Sequence, residues 1–130
     1  PNEMIISRDI QAENSYVLVD EKRIVGTAYI IAEHEPSYDY IEGGQWLNNH
    51  PYVVVHRIAV RKDCRGKGIA RYIMEFAEKI AKEHQLHDIR IDTHDDNLPM
   101  RKFLLKLGYH ACGTIYLDNG DKRIAYQKTF

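Results

Sequence analysis

The run Arg65-Gly66-Lys67-Gly68-Ile69-Ala70 carries the plainest chemical signal in the chain. It stands between a long apolar stretch and the first turn of a strongly periodic helix. Successive backbone N–H groups in such a loop can converge on one anion, the glycines let phosphate oxygens come close, and the helix N-terminus adds a favourable dipole. That combination describes a pyrophosphate cradle. Two glycines among basic residues also form ordinary solvated turns, so the placement between strand and helix carries the argument more than the letters do. The run is not a P-loop, because no Gly-x-x-x-x-Gly-Lys-Ser/Thr is present, and Arg71 occupies the place of the third glycine of a dinucleotide fingerprint.

Outside that run, Asp92, His56, His94 and Glu42 are the side chains that could take a proton from a nucleophile. Each has a structural alternative. Asp92 could pair with Arg90, His56 could be a packing residue on an apolar strand, and His94 could cap its loop. Histidine is the side chain that exchanges protons near neutral pH. Residues 34–51 lose all periodicity and gather Pro36, Gly43, Gly44 and Pro51 beside Tyr38, Tyr40 and Trp46. A loop this long in so small a domain is usually functional or disordered. Tyr38, Tyr40 and Trp46 are expected as walls of an acceptor pocket, with Asp39 or Glu42 drawing in a cationic amine; the alternative is aromatics tucked into the core.

The elements that must hold these residues follow from local patterns. Residues 2–13 read as a short helix, with Met4, Ile5 and Ile6 packed and Asp9 and Gln11 solvated. Residues 16–19 and 24–31 are rich in β-branched and aromatic side chains about a charged turn, Asp20-Glu21-Lys22-Arg23, and predict a hairpin. Residues 52–60 form a nearly continuous apolar run, suited to a central strand covered on both faces. Ile69, Tyr72, Ile73, Phe76, Ala77 and Ile80 then recur at helical spacing. Residues 89–93 alternate as a strand, so strand, helix and strand make a right-handed parallel crossover with the site at the strands' C-terminal ends. Asn97 is a good N-cap for a second helix with Pro99 in its first turn, and Gly108 ends it. Residues 109–117 and 123–130 flank Asp118-Asn119-Gly120-Asp121, a hairpin signal. The order describes one α/β (α+β) domain over residues 1–130, a mixed sheet with a central strand-helix-strand crossover and a C-terminal β-hairpin.

Composition narrows the function. With 130 residues the chain can bury one core. Its 18 Lys and Arg against 19 Asp and Glu give a formal charge of −1, which offers no general basic surface to a nucleic-acid backbone. Cys64 and Cys112 lie outside any zinc or disulfide spacing, so no metal and a reducing compartment are expected. Neither a leader nor an apolar run near ~18 residues is found, and the expectation is a cytoplasmic protein without a membrane.

These features together resemble the GNAT (GCN5-related) N-acetyltransferase superfamily, whose signature Arg/Gln-x-x-Gly-x-Gly/Ala is met by Arg65, Gly68 and Ala70. The resemblance covers most of the chain, including the Ile58-Ala59-Val60 strand end, the long helix, the strand exit at residues 92–97 and the Leu107-Gly108-Tyr109 ending of the second helix. It implies a GNAT-like fold with acetyl-CoA as acyl donor. Ile58, Ala59 and Val60 would pair their backbone with the pantetheine arm, Arg65 to Ala70 would wrap the pyrophosphate, and Asn97 would hydrogen-bond near the thioester. Acetyl would pass directly to a primary amine of a small molecule or protein. In some relatives a carboxylate five residues before the asparagine is the base, and Asp92 holds that place ahead of His56.

Two departures qualify the resemblance. The family usually opens with a strand and a helix before the segment where this chain starts; residues 1–13 resemble its second helix, so an N-terminally incomplete, truncated or processed chain is expected. An open sheet edge should then lie beside the hairpin at residues 16–31, unless a lost segment or another chain, as in a homodimer, covers it. The family's frequent tyrosine acid corresponds here to Leu104, which cannot protonate a leaving thiolate. A thiolate with a pKa near ~8.5 leaves tolerably without that help. The alternative to an enzyme is therefore a catalytically silent acyl-CoA-binding or sensing domain, and a nucleotide-binding module unrelated to CoA ranks third.

Overall fold

In the computed structural model, which describes residues 5–8 and 13–130, the chain alternates strands and helices. The strands are β1 (Ile5–Arg8), β2 (Ser15–Asp20), β3 (Arg23–Ile31), β4 (Val53–Val60), β5 (Asp88–His94), β6 (His110–Tyr116) and β7 (Lys122–Thr129); the helices are α1 (Ile69–Glu83) and α2 (Leu98–Lys106). They build one seven-stranded sheet in the order β1-β2-β3-β4-β5-β7-β6. Its neighbours are antiparallel except for β4 and β5, which run parallel across the α1 crossover.

The helix expected over residues 2–13 is not what the described part shows. Ile5–Arg8 is a strand that pairs with β2 from Ile5↔Val19 to Arg8↔Tyr16. A four-residue stretch of this kind has too few turns to establish helical periodicity, and the free backbone of β2 supplies a ladder for it. The rest of that expectation, on residues 1–4 and 9–12, lies outside the described residues. Because β1 covers β2, the sheet edge expected to be open beside the hairpin is occupied by the chain itself.

One face of the sheet is covered by helices. Ile69, Ile73, Met74, Ala77, Ile80 and Ala81 form the buried stripe of α1, which packs across β3, β4 and β5. Asn97 caps α2 by accepting the Met100 N–H at 3.2 Å, and Gly108, at φ +95°, turns the chain away just past its end. The other face carries neither α1 nor α2. There, residues 34–51 fold over a second cluster of Tyr38, Tyr52, Val54, Ile115 and Ala125, with Trp46 packed against it. The loop is seated tightly on β6: Glu42 and Thr114 exchange both backbone hydrogen bonds, at 2.9 and 2.8 Å, and a Cβ on Gly44 would stand 2.0 Å from the Cys112 carbonyl oxygen. Among the described residues, no helix is long and apolar enough to cross a membrane.

The centre of the sheet is split. Pairing between β4 and β5 is confined to Val53↔Ile89 and Val54↔Arg90, near the start of both strands. Further along, β4 carries an extra residue opposite β3, between the pairs Tyr29↔His56 and Thr27↔Ala59, and Arg57 within it has φ +54°. An extra residue of this kind bends its strand and increases its twist. Beyond it, β4 is only partly buried, unlike the fully buried Val53, Val54 and Val55.

Candidate active site

Two clefts are lined by neighbouring residues of β4 beyond the point where it leaves β5. The first, of about 600 Å³, sits at the N-terminus of α1 between Val60, Phe103 and Leu107 on its apolar side and Arg65, Arg71 and Lys106 on its basic side. Gly66 and Gly68 both hold left-handed backbone, at φ +82° and +77°, which glycine adopts without a Cβ penalty. Nothing lies within 4 Å of a Cβ placed on either one, so these glycines are not needed for packing. Gly68 is the N-cap of α1, makes no side-chain cap, and no acidic residue follows in the first turn. A fifteen-residue helix thus presents uncapped N–H groups and its positive dipole end to a basic, open cleft. This end fits a pyrophosphate, and Arg65, Gly66, Gly68, Ile69 and Ala70 line it; Lys67 is exposed on the loop without lining the cleft.

The second cleft, of about 590 Å³, lies where β4 and β5 have parted and is lined by Tyr29, Glu35, Tyr38, His56, Asp92 and Arg123 among others. Tyr38, His56 and Asp92, all singled out from the sequence, line it together. Asp92 accepts a hydrogen bond from the Tyr38 hydroxyl at 2.6 Å on Oδ2, while Arg123 Nη1 lies 3.4 Å from Oδ1. Its side chain is only 8% exposed. Burial first, and the Asp92 charge second, hold the Tyr38 hydroxyl well above the ordinary tyrosine range, so it remains a donor. His56 sits across the cleft with Nε2 3.4 Å from Glu35 Oε1. Glu35 in turn caps the short 3-10 turn Pro36–Tyr38 by accepting the Ser37 N–H at 3.1 Å.

Other sequence candidates lie elsewhere. Trp46 does not line the second cleft; its ring packs on Tyr38 and, with Tyr52, sandwiches the Arg90 guanidinium at 4.1 and 4.3 Å. The loop aromatics Tyr38 and Trp46 are therefore core residues as well as neighbours of the site. Tyr40 and Glu42 are exposed on the β6 side, where the Tyr116 and Tyr40 hydroxyls donate to Glu42 at 2.6 and 2.7 Å and hold its carboxyl below the usual range. His94 is exposed and pairs with Asp96. Arg90, the expected partner of Asp92, is instead buried under the loop, and Arg123 takes that place. Ile58 lines the second cleft and Val60 the first, whereas Ala59 faces neither. Asn97 uses its side-chain oxygen as the α2 cap, which leaves its amide N–H groups for any ligand.

Glu35, Arg123 and Phe103 are site residues that the sequence did not single out. Glu35 had a local signal, since it precedes a proline that opens a turn. Arg123 had none, because it reaches Asp92 through the β5–β7 register.

Comparison with known proteins agrees with this geometry. The Acetyltransferase (GNAT) family matches residues 2–109. A GNAT-family acetyltransferase from Streptococcus agalactiae superposes with a TM-score of 0.80 at 37% identity, over 93% of this chain and 68% of that one. A streptothricin acetyltransferase from Escherichia coli is 38% identical over 59 residues, 45% of this chain; the match spans only 34% of that protein's length. A Bacillus anthracis protein solved in complex with acetyl coenzyme A shares the fold, with a TM-score of 0.68 at 23% identity over 100% of this chain and 64% of that one. The family match spans most of the chain, and the chain belongs to the GNAT acetyltransferase family.

Proposed function

We propose that this chain is an N-acetyltransferase that uses acetyl-CoA to acetylate a primary amine held in the second cleft. One observation carries the reading: Val60 lines the basic cleft at the α1 N-terminus and Ile58, two residues away on the same strand, lines the polar cleft. Three residues of β4 thus join a site for a pyrophosphate to a site for an amine. Bound there, acetyl-CoA supplies an electrophilic thioester carbonyl. The first-turn N–H groups after Gly68 hold its pyrophosphate, with Arg65, Arg71 and Lys106 around them as positive charge. Past Val54 the side of β4 that faces β5 is no longer paired with it, and its backbone N–H and C=O groups at 58–60 are free to hydrogen-bond a pantetheine arm. The Asn97 amide is offered to the same arm.

In the second cleft, Tyr38 is the wall nearest Asp92, and His56 and Asp92 are the two groups able to take a proton from an acceptor ammonium. The acceptor is a small-molecule or protein amine; streptothricin, named for the Escherichia coli relative, is the first compound to test. A silent acyl-CoA-binding domain is the second reading. It is favoured by Leu104, wholly buried at the place where the family often carries its tyrosine acid. Calorimetry with acetyl-CoA and thiol release with an amine panel separate the readings. Binding with turnover supports the transferase, binding without turnover on any amine supports the silent domain, and no binding rejects both.

A further inference from the structure

Resting on the transferase reading, we infer that Glu35 is a positioning residue that fixes the His56 imidazole as proton acceptor for the incoming amine. The carboxylate is itself fixed. Its Oε2 accepts the Ser37 N–H at 3.1 Å, and the Glu35 backbone N–H donates at 2.9 Å to the hydroxyl of Tyr52, a buried residue. Its other oxygen faces His56 Nε2 at 3.4 Å. At 3.4 Å this is an ion-pair approach rather than a formed hydrogen bond, of the kind that tightens when substrate binds; once a carboxylate accepts from one ring nitrogen it fixes the hydrogen there and leaves the lone pair on the other. That other nitrogen, Nδ1, has no protein partner among the described residues, and the ring lines the cleft. The side chains are 29% and 25% exposed, enough for an acceptor to reach the histidine and little enough to hold the pair in register.

Asp92 is the weaker candidate on geometry alone. Both of its oxygens are engaged, by Tyr38 and Arg123, and an amine would have to displace one of them. The other charged groups at the cleft are Arg57, whose guanidinium lies 5.5 Å from the Tyr29 ring centre, and Glu33 near its mouth. The step then balances as follows. The acceptor ammonium gives a proton to His56 Nδ1; the freed nitrogen lone pair forms the N–C bond; the thioester C–S bond breaks with its electron pair leaving on sulfur as thiolate. A second proton passes from the new amide nitrogen to water.

The test uses the full chain as wild type, His56→Ala, Glu35→Gln and the double variant. Glu35→Gln keeps an oxygen for the Ser37 N–H and so keeps the cap. Thiol release from acetyl-CoA is followed with streptothricin, spermidine and L-lysine as acceptors. His56→Ala should lose about 10²–10⁴-fold in kcat. Glu35→Gln should lose roughly 10–100-fold, below the loss of about 10⁴ seen when a buried orienting carboxylate is neutralised, with the KM for acetyl-CoA unchanged. The double variant should be no slower than His56→Ala. Proton NMR at low temperature should show a downfield imidazole N–H signal in the wild type that vanishes in His56→Ala and moves upfield in Glu35→Gln. Multiplicative losses in the double variant, an unchanged kcat in Glu35→Gln, or an unmoved signal would each overturn the assignment. Failure of the wild type to bind acetyl-CoA would instead reject the transferase reading, while the NMR arm still judges the Glu35–His56 contact.

Discussion

Gly68 separates two roles that are usually entangled, folding and ligand binding. In Gly68→Ala the new Cβ meets no atom within 4 Å, so the folding penalty is the left-handed backbone at φ +77° alone, about 1–2 kcal/mol. For a chain of this length that lowers the melting temperature by roughly 3–8 °C. Gly68→Asp should cost less. Asp tolerates positive φ better than most residues, and a negative charge at the uncapped end of α1 recovers about 0.3–1 kcal/mol from the dipole. Binding should follow the opposite order. Alanine places a methyl where phosphate oxygens must approach, and loss of even one charge-assisted hydrogen bond of roughly 1.5–3 kcal/mol weakens acetyl-CoA by about ten- to a hundredfold. Aspartate adds a like charge, and a pair of unit charges about 4 Å apart near a protein surface repel by ~4 kcal/mol, which is on the order of a thousandfold in affinity. Calorimetric titration with acetyl-CoA and a thermal melt on the same samples measure both. A folded Gly68→Asp protein with wild-type affinity refutes the pyrophosphate assignment, whatever the melting temperatures do.

Three further outcomes are expected. Gly44→Ala drives a Cβ against the Cys112 backbone and must lift the loop from β6, breaking the Glu42–Thr114 pair at a cost of about 1–3 kcal/mol; an unchanged thermal melt would contradict the seat described for the loop. Burial works to raise the Asp88 carboxyl, yet hydrogen bonds from Thr129, Asn48, His50 and Gln127 prevail and leave it below the usual range. A depressed folded pKa gives stability that is present above the unfolded value near ~3.9 and lost as pH falls through the folded one; denaturant unfolding should therefore weaken below about pH 4, and more shallowly in Asp88→Asn. Asp92→Asn leaves an oxygen for Tyr38 and should keep acetyl-CoA affinity while losing less turnover than His56→Ala; the reverse ranking in kcat would return the base to Asp92.

The parts of this molecule legible from sequence are those with local causes. The stripe on α1, the Asn97 cap, the Gly108 stop and both hairpins each rest on a few adjacent residues, and each is found where those residues place it. The misreadings are non-local. Ile5–Arg8 became a strand because β2 offered it a ladder, which no window of its own residues records. Tyr38 and Trp46 were legible as loop aromatics, but their burial follows from a sheet face that neither α1 nor α2 covers and that must be covered by something. Asp92 and His56 were legible as ionisable side chains that could line one site, whereas their partners Arg123 and Glu35 lie 31 and 21 positions away and meet them only in the folded sheet.

The least legible feature is also the one on which the site depends. Residues 52–60 read as a strand covered on both faces, yet only its first half is. Had β4 stayed in register with β5 past Val54, His56 and Asp92 would stand on adjacent paired strands with no room between them, and the backbone at Ile58 to Val60 would be spent on β5. The extra residue at Arg57 prevents this. A non-glycine residue at φ +54° costs on the order of 1–3 kcal/mol and persists only where its surroundings over-determine it. Here the cation on the Tyr29 ring and the β3 pairs on either side do so. The strain is local to β4, but its consequence is the gap beside which the linings of the two clefts come within three residues of each other. Direct transfer between two bound substrates needs that proximity, because the reacting atoms must approach to roughly 3–3.5 Å. On the proposed transferase reading, the bend in β4 is therefore a condition for direct transfer at this site.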